Sequence, residues 1–182
     1  MTCVVAVRSA EGVWIGGDSA AVGGLNLTIR RDPKVGRVGP CAIGFTTSFR
    51  MGQLLLHSLD VPEPPARKGE LYRWMVNAFV DAVRACLQQG GFARKEHDVE
   101  AAGRFIVVVN GEIFTVESDY QVAVADVPYA AIGCGENYAL GALRVLTRRP
   151  NYSALAVCRD ALAVAESFSA GVRGPFKVFR AP

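Results

Sequence analysis

The chain of 182 residues carries 20 Lys and Arg against 17 Asp and Glu, a formal net charge of +3, and is 51% hydrophobic and 20% charged. That much apolar surface excludes a disordered chain, the length suits one domain with its own core over 1–182, and so weak a charge with no basic run argues against nucleic acid as a partner. No run of about 18 apolar residues is present for a membrane span, and the start, Met1-Thr2-Cys3-Val4-Val5-Ala6-Val7-Arg8, lacks the basic segment and cleavage site of a secretory signal, so the expected location is cytoplasmic.

Residues 2–7 form a β-branched apolar run, the pattern of a buried strand. Glu11-Gly12 marks a turn into a second strand over 13–17, which ends at Asp18-Ser19. Residues 20–24 are small and loop-like. Over 25–30, Leu25, Leu27 and Ile29 alternate with Asn26, Thr28 and Arg30, which predicts a half-buried strand. Asp32-Pro33 breaks it, and short strands follow at 34–38 and 41–45. Ser48 is placed to cap a helix through Met51, Leu54, Leu55 and Leu59. Pro62, Pro64 and Pro65 stop that helix. A longer one is expected over 70–89, apolar at Leu71, Trp74, Met75, Phe79, Ala82, Val83 and Leu87 and ended by Gly90-Gly91.

Residues 92–103 read as an exposed polar loop. Strands at 104–109 and 112–116 flank Asn110-Gly111, the strongest hairpin signal in the chain. Weaker strands at 121–124 and 129–132 precede helices at 137–147 and 153–168, with Pro150 between them and a closing strand at 176–179. Runs of strands followed by runs of helices argue for an α+β fold, not alternating βαβ units.

The five cysteines, Cys3, Cys41, Cys86, Cys134 and Cys158, are odd in number, widely spaced and free of CxxC pairs. That usage fits reduced thiols and argues against a disulfide framework or a zinc site. His57 and His97 have no ligand pattern and read as ordinary surface or core residues, so neither metal catalysis nor a Ser-His-Asp triad is supported, and no cofactor is called for.

Thr2 follows the initiator Met, and a Met before so small a residue is normally trimmed. A free N-terminal threonine combines a hydroxyl nucleophile with an α-amine base, and such amines ionise near neutral pH. Asp18 sits beside Gly16 and Gly17, which permit close backbone approach, and Lys34 follows Pro33. A lysine near Thr2 favours the neutral amine and a developing alkoxide, and Asp18 would hold and balance it. Taken singly, a strand-end Asp is usually a turn residue and a Lys after Pro is usually solvated.

Taken together, Asp18 falls sixteen positions after Thr2 and Lys34 thirty-two. With Thr2-Cys3-Val4-Val5-Ala6-Val7, Ile15-Gly16-Gly17-Asp18-Ser19, Lys34-Val35-Gly36-Arg37-Val38, Ala42-Ile43-Gly44-Phe45 and Ala131-Ile132-Gly133-Cys134-Gly135-Glu136-Asn137-Tyr138-Ala139, the chain resembles the proteasome β-subunit and HslV-like family of N-terminal-nucleophile (Ntn) hydrolases over its whole length. The resemblance implies a four-layer αββα sandwich and hydrolysis of peptide bonds by the N-terminal threonine. It also implies self-association into homo-oligomeric rings that enclose the sites, polypeptide substrates, and an ATPase unfoldase as a candidate partner. In these terms Thr2 is nucleophile and base, Lys34 the electrostatic aid and Asp18 its partner, and activation needs only the loss of Met1.

The same resemblance assigns supporting positions, several with changed residues. Thr47 stands where the family usually has a glycine whose backbone N–H serves the oxyanion, and Thr retains that N–H. Cys134 replaces a serine that bonds near the terminal amine, and a thiol is a weaker donor. Ser167 stands in place of an aspartate, leaving Glu166 as the nearest carboxylate in the sequence. Val22 replaces a substrate-aligning threonine in the segment that also holds Gly24. Phe45 borders the P1 pocket and implies apolar P1 residues. These changes keep a second reading open, a slow or inactive homologue that acts as a structural assembly module. A third, an Ntn amidase for a small metabolite, has the Asp18 and Lys34 spacing against it.

Overall fold

In the computed structural model, which describes residues 1–92, 94–96 and 99–182, the chain begins with β1 (Cys3–Ser9) and β2 (Gly12–Gly17). There follow β3 (Ala20–Gly23), β4 (Asn26–Ile29), β5 (Val35–Val38), β6 (Cys41–Phe45) and α1 (Phe49–His57). After a 3-10 turn at Lys68–Glu70 come α2 (Leu71–Trp74) and α3 (Val80–Gln89). The remainder is β7 (Arg94–Glu96), β8 (Val99–Ala101), β9 (Phe105–Val109), β10 (Glu112–Val116), β11 (Val122–Val124), β12 (Tyr129–Gly133), α4 (Glu136–Leu146), α5 (Ala154–Phe168) and β13 (Lys177–Arg180).

The strands form a four-stranded sheet of order β12-β1-β2-β13 and a five-stranded sheet of order β11-β10-β9-β6-β5. Period-two alternation assigns the side chains to layers. Val4 and Ala6 of β1 pack with Ala42, Ile106 and Val108 between the sheets. Cys3, Val5 and Val7 of the same strand pack outward against Ala139 and Leu143 of α4 and Leu162 and Ala165 of α5. On the other sheet, Phe105, Val107 and Val109 pack outward against Met51 and Leu55 of α1 and Val83 of α3. Helix, sheet, sheet, helix is the four-layer αββα sandwich, an α+β fold. The sheets close tightly at Gly44, where a Cβ would stand 2.6 Å from Val4 Cγ1.

Local signals are realised at Ser48, whose Oγ accepts from the Met51 N–H at 3.3 Å, and at Asn110-Gly111. There φ values of 49° and 75° give the two-residue turn that pairs Val109 with Glu112. Other expectations need correction. Ser9 pairs with Gly12, so the first turn is Ala10-Glu11. Residues 20–23 form a strand, and β3 and β4 make a two-stranded ribbon. Among the described residues the alternation of 25–30 makes no buried face: Leu25 is fully exposed and Leu27 and Ile29 are 45% exposed.

The helix expected over 70–89 contains a π turn at Met75–Phe79. Here the Asn77 side chain donates to the Arg73 carbonyl at 2.8 Å, competing for an acceptor of the helical ladder. The stripe Leu71, Met75, Phe79, Val83 and Leu87 stays buried through the irregularity. Within the supposed loop of 92–103, β7 and β8 pair as a ribbon, while His97 lies outside the described residues. No helix among the described residues is long and apolar enough to cross a membrane.

Candidate active site

The four-stranded sheet fixes Thr2. It immediately precedes β1, an inner strand on which Cys3 pairs with Gly133 of β12 and Val4 with Gly17 of β2. Asp18 leaves the end of β2 and its N–H donates to the Cys3 carbonyl at 3.2 Å. Its buried carboxylate accepts four bonds. Oδ1 takes the Cys3 N–H at 2.9 Å and Lys34 Nζ at 2.8 Å, and Oδ2 takes the Ala20 N–H at 2.9 Å and the Arg173 N–H at 3.2 Å. Asp18 thus joins β1, the β3 start, the approach to β13 and Lys34 at one point.

Lys34 lies just before β5, with its stem passing Gly17, where a Cβ would stand 3.6 Å from the Lys34 Cβ. Beyond the bond to Asp18, its ammonium donates to the Met1 carbonyl at 3.3 Å. Burial pushes its ionisation below the ordinary lysine range, although Asp18 pulls the other way. Phe49 carries the Arg30 guanidinium 3.9 Å from its ring centroid and the Lys34 ammonium at 5.8 Å.

Thr2 is 4% exposed. Its Oγ1 donates to the Met1 carbonyl at 2.5 Å. Its N–H points to Cys134 Sγ at 3.3 Å, and its carbonyl accepts from the Cys134 thiol and from the Gly135 N–H, each at 3.4 Å. Glycine is required at 133, where φ is 102° and a Cβ would stand 2.2 Å from the Thr2 carbonyl oxygen. Cys134 is the exposed thiol of the five. Burial pushes the Cys3, Cys41 and Cys158 thiols up to about 12, with Asp18 adding to the shift at Cys3.

Thr47 has a φ of 77°, a left-handed conformation that costs a β-branched residue about 1–2 kcal/mol. Neighbouring bonds hold it there. The Thr46 N–H donates to the Arg104 carbonyl at 3.0 Å and the Ser48 N–H to the Thr46 carbonyl at 2.9 Å. Phe45 ends β6 with its ring on Gly52, where a Cβ would stand 2.1 Å away, and borders a cavity of about 330 Å³ shared with Asp32, Arg50, Gln53 and His57.

Thr2, Asp18, Lys34 and Cys134 are therefore brought together. Val22 and Gly24 are on the β3–β4 ribbon, Val22 opposite Leu27 and Gly24 at the exposed tip with a φ of 59°. That tip is roughly 13 Å along the strand from Ala20. Ser167 does not join the group. It is exposed and its hydroxyl donates to the Ala163 carbonyl at 3.0 Å. Glu166 does not replace it, since its Oε1 accepts the Gly174 N–H at 3.0 Å. The hydroxyl beside Cys134 belongs to Ser169, 3.6 Å from Sγ. The signal for it was present: Cys158, Leu162 and Ala165 form the buried stripe of α5, and Ser169 continues it at helical spacing while Ser167 does not. Arg104 and Glu136, which pair at 2.7 Å beside Gly133, also went unnoticed in the sequence.

No protein-family model matches the chain. It is 27% identical over 170 residues to the ATP-dependent protease subunit HslV of Caldicellulosiruptor saccharolyticus, across 91% of this chain and 90% of that protein. Among solved structures, Thiobacillus denitrificans BPH superposes with a TM-score of 0.78 at 25% identity, covering 100% of this chain and 99% of that one. BPH in complex with epoxomicin gives a TM-score of 0.81 at 22% identity over the full length of both chains. Eukaryotic HslV from Trypanosoma brucei gives 0.74 at 21% identity, covering 98% of each chain. The αββα sandwich and these full-length likenesses make the chain similar, in fold and in sequence, to the HslV-like, proteasome-type Ntn hydrolases.

Proposed function

We propose that the chain is a threonine endopeptidase that acts once Met1 has been removed. The observation that carries this is the buried Lys34–Asp18 pair with its ammonium on the carbonyl that precedes Thr2. Loss of Met1 turns the Thr2 amide nitrogen into an amine held beside Cys134 Sγ. The amine takes the Oγ1 proton, and Oγ1 adds to the substrate carbonyl carbon. Lys34 favours the neutral amine and the developing alkoxide, and Asp18 holds Lys34. The Thr47 N–H serves the oxyanion. Collapse of the adduct breaks the peptide C–N bond as the amine returns its proton to the leaving nitrogen. Water then hydrolyses the Thr2 ester by the same route and restores the hydroxyl.

Likeness to HslV supports polypeptide substrates, self-association into a homo-oligomeric ring, a cytoplasmic setting and an ATPase unfoldase as partner. Phe45 and its cavity support apolar P1 residues, with Val22 and Gly24 on the ribbon as substrate contacts. The test is intact-mass measurement of the purified protein, turnover of an apolar peptide, and binding of epoxomicin, each repeated with Thr2→Ala. The expected result is a chain starting at Thr2 whose turnover and epoxomicin binding are both lost in the variant. Retained Met1, or unchanged turnover in Thr2→Ala, overturns the reading. A non-catalytic assembly module is the second reading, favoured by the Ser167 hydroxyl turned onto Ala163 instead of an acid beside Cys134. It predicts rings that neither turn over substrate nor bind epoxomicin.

A further inference from the structure

Two turns flank Thr2, and one residue is bonded to both. The Thr46-Thr47 turn is held by the backbone of Arg104, whose carbonyl accepts the Thr46 N–H at 3.0 Å and whose N–H donates to Thr47 Oγ1 at 3.5 Å. The Gly133-Cys134-Gly135 turn is reached by its side chain. Arg104 Nη1 donates to Glu136 Oε2 at 2.7 Å, and the same oxygen accepts the Gly133 N–H at 3.0 Å. Glu117 holds the other edge of the guanidinium, with Oε2 2.7 Å from Nε and Oε1 accepting from Nη2 at 3.2 Å. The two turns themselves nearly touch: a Cβ on Gly133 would stand 3.3 Å from Thr46 Oγ1.

We propose that Arg104 is a positioning residue for the Thr2 site, a brace that sets the Thr46-Thr47 turn and, through Glu136, the Gly133-Cys134-Gly135 turn at a fixed separation across Thr2. This deepens the peptidase reading and rests on it for its kinetic consequence. One turn carries the proposed oxyanion donor, the Thr47 N–H, in a strained conformation. The other holds the Thr2 nitrogen at Cys134 and the Thr2 carbonyl at Gly135. Their separation decides whether amine, hydroxyl and oxyanion donor converge on one carbonyl group. The ion pairs are poor candidates for a fold-stabilising role, because Arg104, Glu117 and Glu136 side chains are 33%, 34% and 27% exposed. Pairs so open to water add little to stability. The Nη1 bond to Glu136 and the Nη2 bond to Glu117, in contrast, fix the direction of the guanidinium.

The experiment compares wild type with Arg104→Met, Arg104→Lys and Glu136→Gln by peptide turnover, melting temperature and amide hydrogen exchange at Gly133 and Gly135. Arg104→Met is expected to lower kcat on the order of 10- to 100-fold, the scale set by sub-ångström to 1 Å misplacement of reacting groups. KM is expected to stay within about 3-fold and the melting temperature within about 4 °C, while exchange at both glycines quickens. Arg104→Lys, which keeps one charged bond to Glu136, is expected to recover part of kcat. Glu136→Gln keeps an acceptor for the Gly133 N–H and is expected to fall between wild type and Arg104→Met, which also covers the case of a poorly folding Arg104→Met. Exchange at wild-type rates in Arg104→Met and Glu136→Gln overturns the brace. So does unchanged kcat in the same variants when the wild type turns over. A wild type without turnover rejects the peptidase reading alone, and the exchange rates still decide on the brace.

Discussion

Lys34 Nζ lies 2.8 Å from Asp18 Oδ1, with the lysine side chain 1% exposed and the aspartate side chain fully enclosed. Removing one partner of such a pair leaves the other charge buried and uncompensated, at a cost of about 3–5 kcal/mol. Asp18 also accepts the N–H groups of Cys3, Ala20 and Arg173, so its loss strands those donors as well. Asp18→Ala is therefore expected to lower the melting temperature by about 6–20 °C, at about 2–4 °C per kcal/mol for a chain of this size. Calorimetry finding a shift below about 2 °C would mean that the pair is not the structural centre its geometry suggests.

The depressed ionisation of Lys34 has a signature in the pH dependence of stability. Folded Lys34 gives up its proton more readily than the unfolded chain does, so below the ordinary lysine value of 10.5 there is a window in which the unfolded state binds more protons. Unfolding free energy then rises with pH across that window. The buried thiols of Cys3, Cys41 and Cys158, pushed up to about 12, act the other way above their ordinary value of 9.0. Subtracting the stability of Lys34→Met from that of wild type removes most of their effect. The difference should climb as pH approaches 10.5, and a flat or falling difference would contradict the assignment.

Thiol chemistry should single out Cys134. It is exposed, whereas Cys3, Cys41, Cys86 and Cys158 are buried. Burial both hides a thiol and disfavours the thiolate that reacts. Brief treatment of the folded protein with iodoacetamide is expected to add one carbamidomethyl group, located at Cys134 by peptide mapping. Because Cys134 Sγ is 3.3 Å from the Thr2 nitrogen, that adduct should also block turnover, and Cys134→Ser should escape the block. Labelling elsewhere first would count against the burial pattern.

The two serines near the end of α5 should behave differently. Ser169→Ala removes the hydroxyl beside Cys134 and is expected to reduce kcat by about 3- to 10-fold, since the loss of one ordinary hydrogen bond is worth about 0.5–1.5 kcal/mol. Ser167→Ala removes only an exposed bond to the Ala163 carbonyl and should leave kcat within about 2-fold of wild type. Steady-state kinetics on the pair of variants decides between them; a reversed order would restore Ser167 to the site.

Position 133 admits glycine alone. Gly133→Ala combines an unfavourable φ of 102° with a Cβ placed 2.2 Å from the Thr2 carbonyl oxygen. The turn has to move, and turnover should fall below detection even where circular dichroism shows a folded chain. Activity within about 10-fold of wild type would show that the turn tolerates displacement.

The legible parts of the sequence were those written in local patterns. The apolar run of β1, the Ser48 cap and Asn110-Gly111 each depend on residues a few positions apart, and each appears in the structure. The spacing of Thr2, Asp18 and Lys34 drew together three residues that meet in space. The β3–β4 ribbon misled because Leu25, Leu27 and Ile29 alternate like a sheet face yet all three stay exposed. Ser167 misled because matching by position ignored the helical phase of α5, which turns that residue outward and Ser169 inward. Arg104 escaped notice because its partners, Glu117 and Glu136, come from two other elements and form no spacing pattern along the chain.

The place of β1 between β2 and β12 has a consequence for timing. Thr2 is made before the strand that closes one side of β1, Tyr129–Gly133, and before Lys177–Arg180, which completes the sheet beyond β2. Those contacts cannot form until the later strands have been made, and such long-range pairings are slow to assemble. The nascent chain therefore carries the proposed nucleophile without a site around it until those strands have been made. Latency during translation follows from strand order.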